Sequence, residues 1–332
     1  MSIRDLKKTP VFDVYWYFAV KRQEVFFNRL EGKESLWTND PIIQKYKFTN
    51  VYRASDRVSQ YLIRNVIYSD NNFSPEDICF RILLFKLFNK IDTWECLERQ
   101  LGEILYSSYN YEEYDRLLLK MLEEKEKIYS AAYIMPSGNK SFGYAKKHQN
   151  NLKLLEFIMK SNITAKISKS KSLKELYEIL ISYPTIGPFL AFQYCIDINY
   201  SELCDFSEMS FVVAGPGAKN GICKCFDDLK RYSYEDIIKY VTENQEKEFE
   251  SRGLRFRTLF GRRMQLIDCQ NLFCETDKYS RVAYPKITGL NSRVKIKQRY
   301  KHNNLEPIEY FYPPKWMINE NISIKSKEKA HG

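Results

Sequence analysis

Several side chains of this 332-residue chain have types and spacings that could do chemistry. Glu208 stands in Asp205-Phe206-Ser207-Glu208-Met209-Ser210, with Asp205 three residues before it. A carboxylate can activate water or stabilise positive charge in a transition state. Glu208 is the first candidate for that role and Asp205 the reserve. Gly215-Pro216-Gly217-Ala218-Lys219-Asn220-Gly221 looks like a phosphate loop, but Ile222 follows where a nucleotide-binding loop needs Lys-Ser/Thr. It reads as a tight backbone turn against DNA or a flipped base, with Gly215, Gly217 and Lys219 as its contacts. Arg53, Asp56 and Arg57 fall within one helical turn, either as a phosphate or modified-base clamp or as an ion-pair network tying two helices. Gln270 and Asn271 suit the reading of a base edge, and Glu275, Asp277 and Lys278 follow them closely. Trp94 and Tyr15-Trp16-Tyr17 could stack on a base, although 25 Tyr, 21 Phe and 4 Trp mean that most aromatic residues are core.

Metal chemistry has little to stand on. The three His are scattered at His148, His302 and His331. Cys223-Lys224-Cys225 is at most half a zinc pattern, and the four-cysteine spacing of iron–sulfur helix-hairpin-helix enzymes is absent. The eight Cys read as free, mostly buried thiols of a reducing cytoplasm. No metal or cofactor is expected.

The elements that must position these groups are mostly helical. Apolar stripes mark helices over 76–88 and 112–129, and Ser172-Leu173-Lys174-Glu175 is a capping box opening another. Ser233 opens a further helix through Val241, with Asp236 three residues on. Polar breaks fall at 136–151 and 161–172. The tail from Glu320 is rich in Lys and Ser and expected to fray. No apolar run approaches the ~20 residues of a membrane span, and the N-terminus lacks a signal-peptide stretch.

Charge is concentrated late in the chain. Residues 251–301 hold thirteen basic and three acidic residues, a net +10 that equals the formal charge of the whole sequence. A basic surface of that size attracts polyanions by releasing their counterions. At its end Arg293, Lys295, Lys297, Arg299 and Lys301 alternate with other residues. As a strand this places all five cations on one face, to track a phosphate backbone or to guard an exposed edge.

The segment Tyr183-Pro184-Thr185-Ile186-Gly187-Pro188-Phe189-Leu190-Ala191 links two apolar helices. It resembles the hairpin of the helix-hairpin-helix DNA glycosylases, with Pro184, Ile186, Gly187 and Ala191 fitting and Thr185 replacing a glycine. Such a turn brings backbone N–H groups and a helix N-terminus to a phosphate. The resemblance implies a catalytic acid about twenty residues beyond the last hairpin glycine. Glu208 lies 21 residues beyond Gly187, with Glu in place of Asp. Phe189 stands where strand-cleaving members carry a lysine, so base release without strand cleavage is expected.

A wider resemblance rests on Phe48-Thr49-Asn50-Val51-Tyr52-Arg53-Ala54-Ser55-Asp56-Arg57-Val58-Ser59-Gln60, on Phe88 to Glu95, on Phe211 to Ala218, and on Ile267 to Tyr279. These stretches resemble the α-glutamyl/putrescinyl-thymine pyrophosphorylase family, also described as the 5-hydroxymethyluracil DNA kinase helical domain. The resemblance implies an all-α, glycosylase-like fold acting on hypermodified bases, in phage DNA modification or in defence against it. No kinase signature is seen in the sequence.

The expected molecule is therefore an all-α, helix-hairpin-helix DNA-glycosylase-like protein. It has two helical lobes with a cleft and a short basic extension with strands. Residues 1–10 form an arm, 11–150 a helical lobe and 151–245 the hairpin lobe. Residues 246–319 form a DNA-contacting region and 320–332 a tail. The expected activity is excision of a hydroxymethylated or glucosylated pyrimidine from double-stranded DNA by base flipping. Two other readings stay open: a transferase of kinase type that modifies hydroxymethylpyrimidines in DNA, and a non-catalytic reader of modified DNA.

Overall fold

The computed structural model describes residues 3–33, 37–69, 72–301 and 308–322. Among these the chain is helical, with isolated antiparallel bridges and no strand. The expected strand over 293–301 is absent. Only Arg299 pairs, in an isolated antiparallel bridge with Tyr46, because the facing segment 41–45 is helical and the backbone bonds stop at 45–47.

In chain order the helices are α1 (Pro10–Leu30) and α2 (Pro41–Lys45), then α3 (Arg57–Tyr61), which runs into a π-helical turn at Leu62–Ile67. There follow α4 (Pro75–Phe88), α5 (Ile91–Leu101), α6 (Tyr111–Glu123), α7 (Asn139–Phe142) and α8 (Lys147–Lys160). Next are α9 (Ile163–Lys169), α10 (Leu173–Ile181) and α11 (Pro188–Asn199). The last are α12 (Pro216–Cys225), α13 (Tyr234–Glu243), α14 (Gln245–Glu250) and α15 (Leu266–Ala283). The caps follow from sequence. Thr9, Asp40, Ser74, Asn110, Ser172 and Ser233 each accept a backbone N–H of the first turn.

The chain divides into two compact units, each assembled from separated segments. The first comprises Met1–Asp56, Val212–Glu309 and Ile318–Gly332. Its core is α1 against α12 and α15. Trp16, Tyr15 and Phe12 are fully enclosed and meet Phe249, Phe273 and Phe226 at ring distances of 4.9, 4.4 and 5.0 Å. Burial of such rings contributes roughly 1.5–3 kcal/mol each. Tyr15 and Trp16 are thus core, not base-stacking, residues.

The second unit comprises Arg57–Phe211 and Tyr310–Met317. Trp94 is buried beside Phe85 at 5.8 Å, so it too is core. The buried guanidinium of Arg81 donates from each of its nitrogens, to the carbonyls of Val66, Ile104 and Asn65 at 2.8, 3.0 and 3.1 Å. These bonds offset the desolvation that pulls its pKa down. Lys86 and Asp197 form an enclosed ion pair at 2.7 Å, joining α4 to α11. The segment 310–317 completes this unit: Phe311 N–H donates to Gln60 Oε1 at 2.8 Å, and Tyr312 is fully buried.

Candidate functional site

In the first unit the polar residues of α15 converge on the loop 47–56. Glu275 accepts the Thr49 N–H at 3.0 Å, and Asp268 accepts the Arg53 N–H at 3.0 Å. Asn271 donates to Thr49 Oγ1 and Asn50 O at 3.1 and 3.3 Å, and Lys278 donates to Lys47 O. Lys278 also pairs with Glu275 at 3.4 Å. Helical spacing explains the set: residues 268, 271, 275 and 278 are three or four apart and share one face. Asp56 closes the loop on itself by accepting the Asn50 N–H at 2.7 Å, while Asn50 Nδ2 donates to Ser55 O at 2.7 Å. Gln270, directed elsewhere, donates to Cys274 Sγ at 3.4 Å.

Arg53, Asp56 and Arg57 do not lie on one helix. Arg53 begins a 3-10 turn that ends at Asp56, whose ψ of 145° is extended, and Arg57 begins α3. The boundary between the units falls between Asp56 and Arg57. Arg53 is buried within the first unit. Burial pushes the Asp56 carboxyl up to about 7, against the opposing pull of the Asn50 N–H, Arg22 and Arg53. A group titrating near neutrality inside a built loop is the strongest chemical feature of this unit.

The glycine-rich run is not a turn. Gly215 caps α12, and Pro216 to Cys225 are helical. A Cβ at Gly217 would sit 2.9 Å from Cys274 Sγ, and one at Gly221 only 2.1 Å from the Phe273 carbonyl. The glycines therefore let α12 lie directly on α15, rather than cradling phosphate. The contact is sealed by a buried network in which Asp277 meets Lys224 at 2.9 Å, Arg281 at 2.5 Å and Asn220 Nδ2. Lys219, half-buried, lies over the Tyr234 ring at 5.5 Å.

In the second unit a short turn joins α10 to α11. Ile186 N–H closes the turn on Tyr183 O at 3.3 Å, and Gly187 caps α11. Pro184 and Thr185 are half-buried. Thr185 holds φ at +67°, the left-handed conformation that the glycine of the resembling pattern would adopt without cost. Phe189 stacks on Tyr133 at 5.9 Å. Beyond α11, Asn199 ties the following loop by bonds to both the N–H and the carbonyl of Phe206, each 2.9 Å. Glu208 lies in a turn and is 5% exposed. Asp205 is exposed and lies 3.6 Å from Lys315, whose ammonium is held by Ser201 O and Cys204 O at 2.9 and 2.6 Å.

The basic residues of 251–301 differ in how they are paired. Arg252, Arg257, Arg263, Lys278 and Arg281 make ion pairs with Glu248, Glu31, Glu246, Glu275 and Asp277. Arg293, Lys295, Lys297 and Arg299 are exposed and make no ion pair among the described residues. The described residues contain no cluster of three or more His, Cys, Asp and Glu that could hold a metal ion. Cys223 and Cys225 instead contact Tyr234 Oη and Val11 O, each at 3.7 Å. No helix of the described residues is long and apolar enough to cross a membrane. A cleft of about 500 Å³ opens beside α14, lined by Gln245, Phe249, Arg255, Phe256 and Thr258. Its aromatic lining carries no motif in the sequence.

The model of the family described as 5-hmdU DNA kinase, helical domain, matches residues 9–289, and the chain belongs to that family. A curated relative, the 5-hmdU DNA kinase of Bacillus phage SP10, is 26% identical over 288 residues, covering 81% of this chain and 45% of the relative. The chain thus spans less than half the length of that relative. No solved structure matches it.

These findings overturn the expectation of a hydrolytic DNA glycosylase. The family and the relative are described by a kinase, a transferase that leaves the N-glycosidic bond intact. The role given to Glu208, with Asp205 in reserve, falls with that reaction. So does base release without strand cleavage. The alternative of a kinase-type enzyme on hydroxymethylpyrimidine DNA is the better supported reading of the sequence.

Proposed function

We propose that this chain serves a kinase-type modification of 5-hydroxymethyluracil in DNA, as the helical module that engages the DNA around the modified base. The observation that carries this reading is the family match over residues 9–289, which takes in most of both units. The concentration of +10 charge in residues 251–301 supports DNA as the partner.

The chemistry fits the position of the substituent. The C5 group of a thymine-like base projects into the major groove, where a hydroxymethyl oxygen is reachable without extrusion of the base. Phosphoryl transfer needs a nucleotide, bound metal ions and an in-line arrangement of attacking and leaving oxygens. The glycine-rich run, being part of α12 and packed on α15, supplies no nucleotide loop. We therefore assign this chain the recognition of DNA and give none of its residues a role in the phosphoryl transfer. The half-buried Thr49 and Asn50 of the loop that α15 braces are the groups proposed to face the modified base.

The test uses two duplexes that differ only in thymine or 5-hydroxymethyluracil at one position. Binding is read by fluorescence anisotropy, and phosphate incorporation from ATP labelled at its γ-phosphate is read in the presence of Mg²⁺. Tighter binding of the hydroxymethyluracil duplex is expected. Labelling of that duplex by the chain alone would extend its role to the transfer itself. Equal affinity for both duplexes, without labelling of either, would overturn the reading.

A further inference from the structure

We propose that residues 291–301 form a pre-positioned strap that binds the DNA phosphate backbone, and that this strap, not the basic region as a whole, supplies the electrostatic grip. It rests on the preceding reading only in taking DNA as its partner.

Three anchors of the first unit hold the segment. Asn220, itself 1% exposed and bonded to Asp277, accepts the Asn291 N–H at 3.1 Å. Arg281 donates to Lys295 O at 3.4 Å. At the far end, Tyr300 N–H donates to Lys45 O at 3.0 Å, and Lys47 N–H to Gln298 O at 3.1 Å. Gly289 permits the approach at the near end, because a Cβ there would lie 2.6 Å from Asn220 O. The segment has no helix and little enclosed side-chain surface: Val294 is 49% and Tyr300 39% exposed. Its fixation therefore serves something other than burial of apolar area.

What it displays is charge. Arg293, Lys295, Lys297 and Arg299 are exposed and without an ion pair, as are Lys301 beside them and the isolated Arg255 and Lys286, whereas five other cations of the region are matched by carboxylates. Lys45 and Lys47 on the paired backbone add to the same neighbourhood. Unpaired like charges held together repel one another, and a polyanion relieves the repulsion by surrendering its counterions. Phosphate contacts of this kind position a protein without reading sequence.

The experiment compares the intact protein with R293Q/K295Q/K297Q/R299Q and with R257Q/R263Q, which removes two ion-paired cations. Binding to an unmodified duplex is titrated between 50 and 200 mM salt, with thermal melts confirming that each variant is folded. Loss of four phosphate contacts lowers the slope of log K against log salt by about 3.6. Over that range the intact protein should lose roughly 100-fold more affinity than the strap variant. The paired-cation variant should keep the intact slope. An unchanged slope in the strap variant overturns the proposal, and so does an equal fall in both variants. Self-association of the strap variant with an unchanged slope also overturns it, assigning the cations to edge protection. Preference for hydroxymethyluracil over thymine tests the preceding reading separately, because strap contacts affect both duplexes alike.

Discussion

Asp56 carries the clearest pH dependence in the molecule. Its ordinary pKa of 3.8 is raised to about 7 in the folded protein, chiefly by burial. Between these values the folded state holds a proton that the unfolded chain has lost. The stability contributed by Asp56 is thus complete below pH 4 and is lost as pH rises towards 7. Asp56→Asn keeps an acceptor for the Asn50 N–H but cannot ionise. Thermal melts from pH 4 to 8 should show the variant gaining on the native protein as pH rises, by up to about 4 kcal/mol at the alkaline end. Gly221→Ala gives a second residue-scale prediction with a contested sign. Helix propensity alone favours alanine by roughly 1 kcal/mol. The Phe273 carbonyl stands 2.1 Å from the added Cβ, so the clash dominates. Urea denaturation should show a loss of about 1–3 kcal/mol.

At the scale of elements, the hairpin between α10 and α11 offers a prediction of opposite sign. Thr185 is β-branched and held at φ +67°, a conformation that only glycine adopts freely. Thr185→Gly should stabilise the protein by roughly 0.5–1 kcal/mol, read as a higher melting temperature, because strain relief exceeds the added chain entropy. Sequence signals located many elements well. Ser233 and Asp236 form the reciprocal capping box at α13. At Ser172 the cap forms, but Glu175 turns its carboxylate to the Lys171 N–H instead. The stripe over 76–88 became α4, while that over 112–129 yielded a helix ending at Glu123. The polar breaks concealed α7, the start of α8 and α9, since polar composition hides short surface helices. The run at 215–221 misled for a physical reason. Glycines lower helix propensity, yet here they are required by the close approach of α15. The family words around Asn50 and Glu275 were visible as words. That they meet in one braced loop was not, because 226 residues separate Thr49 from Glu275.

At the scale of the whole chain, the net charge of +10 was legible from composition, but its division into paired and unpaired cations was not. Pairing depends on which carboxylates the fold brings near, as Arg257 meeting Glu31 across 226 positions illustrates. A prediction belongs to this scale as well. Segment 310–317 is short yet contributes the enclosed Tyr312, which stacks with Trp316 at 5.9 Å, and the ammonium of Lys315. Tyr312→Ala should destabilise the protein by about 3–5 kcal/mol, read by urea denaturation.

The same segment has a consequence for synthesis on the ribosome. The second unit opens at Arg57 but lacks its last pieces until Met317 has been made, and the first unit awaits residues beyond Val212. Translation at about 5–20 residues per second leaves Tyr68 and Tyr200, which Phe311 and Trp316 later cover, without that cover for several to tens of seconds after they are made. The nascent chain therefore passes through a long interval in which chaperones that shield apolar segments have a target. Codon changes that slow elongation before Tyr310 would prolong that exposure without altering a single residue of the product.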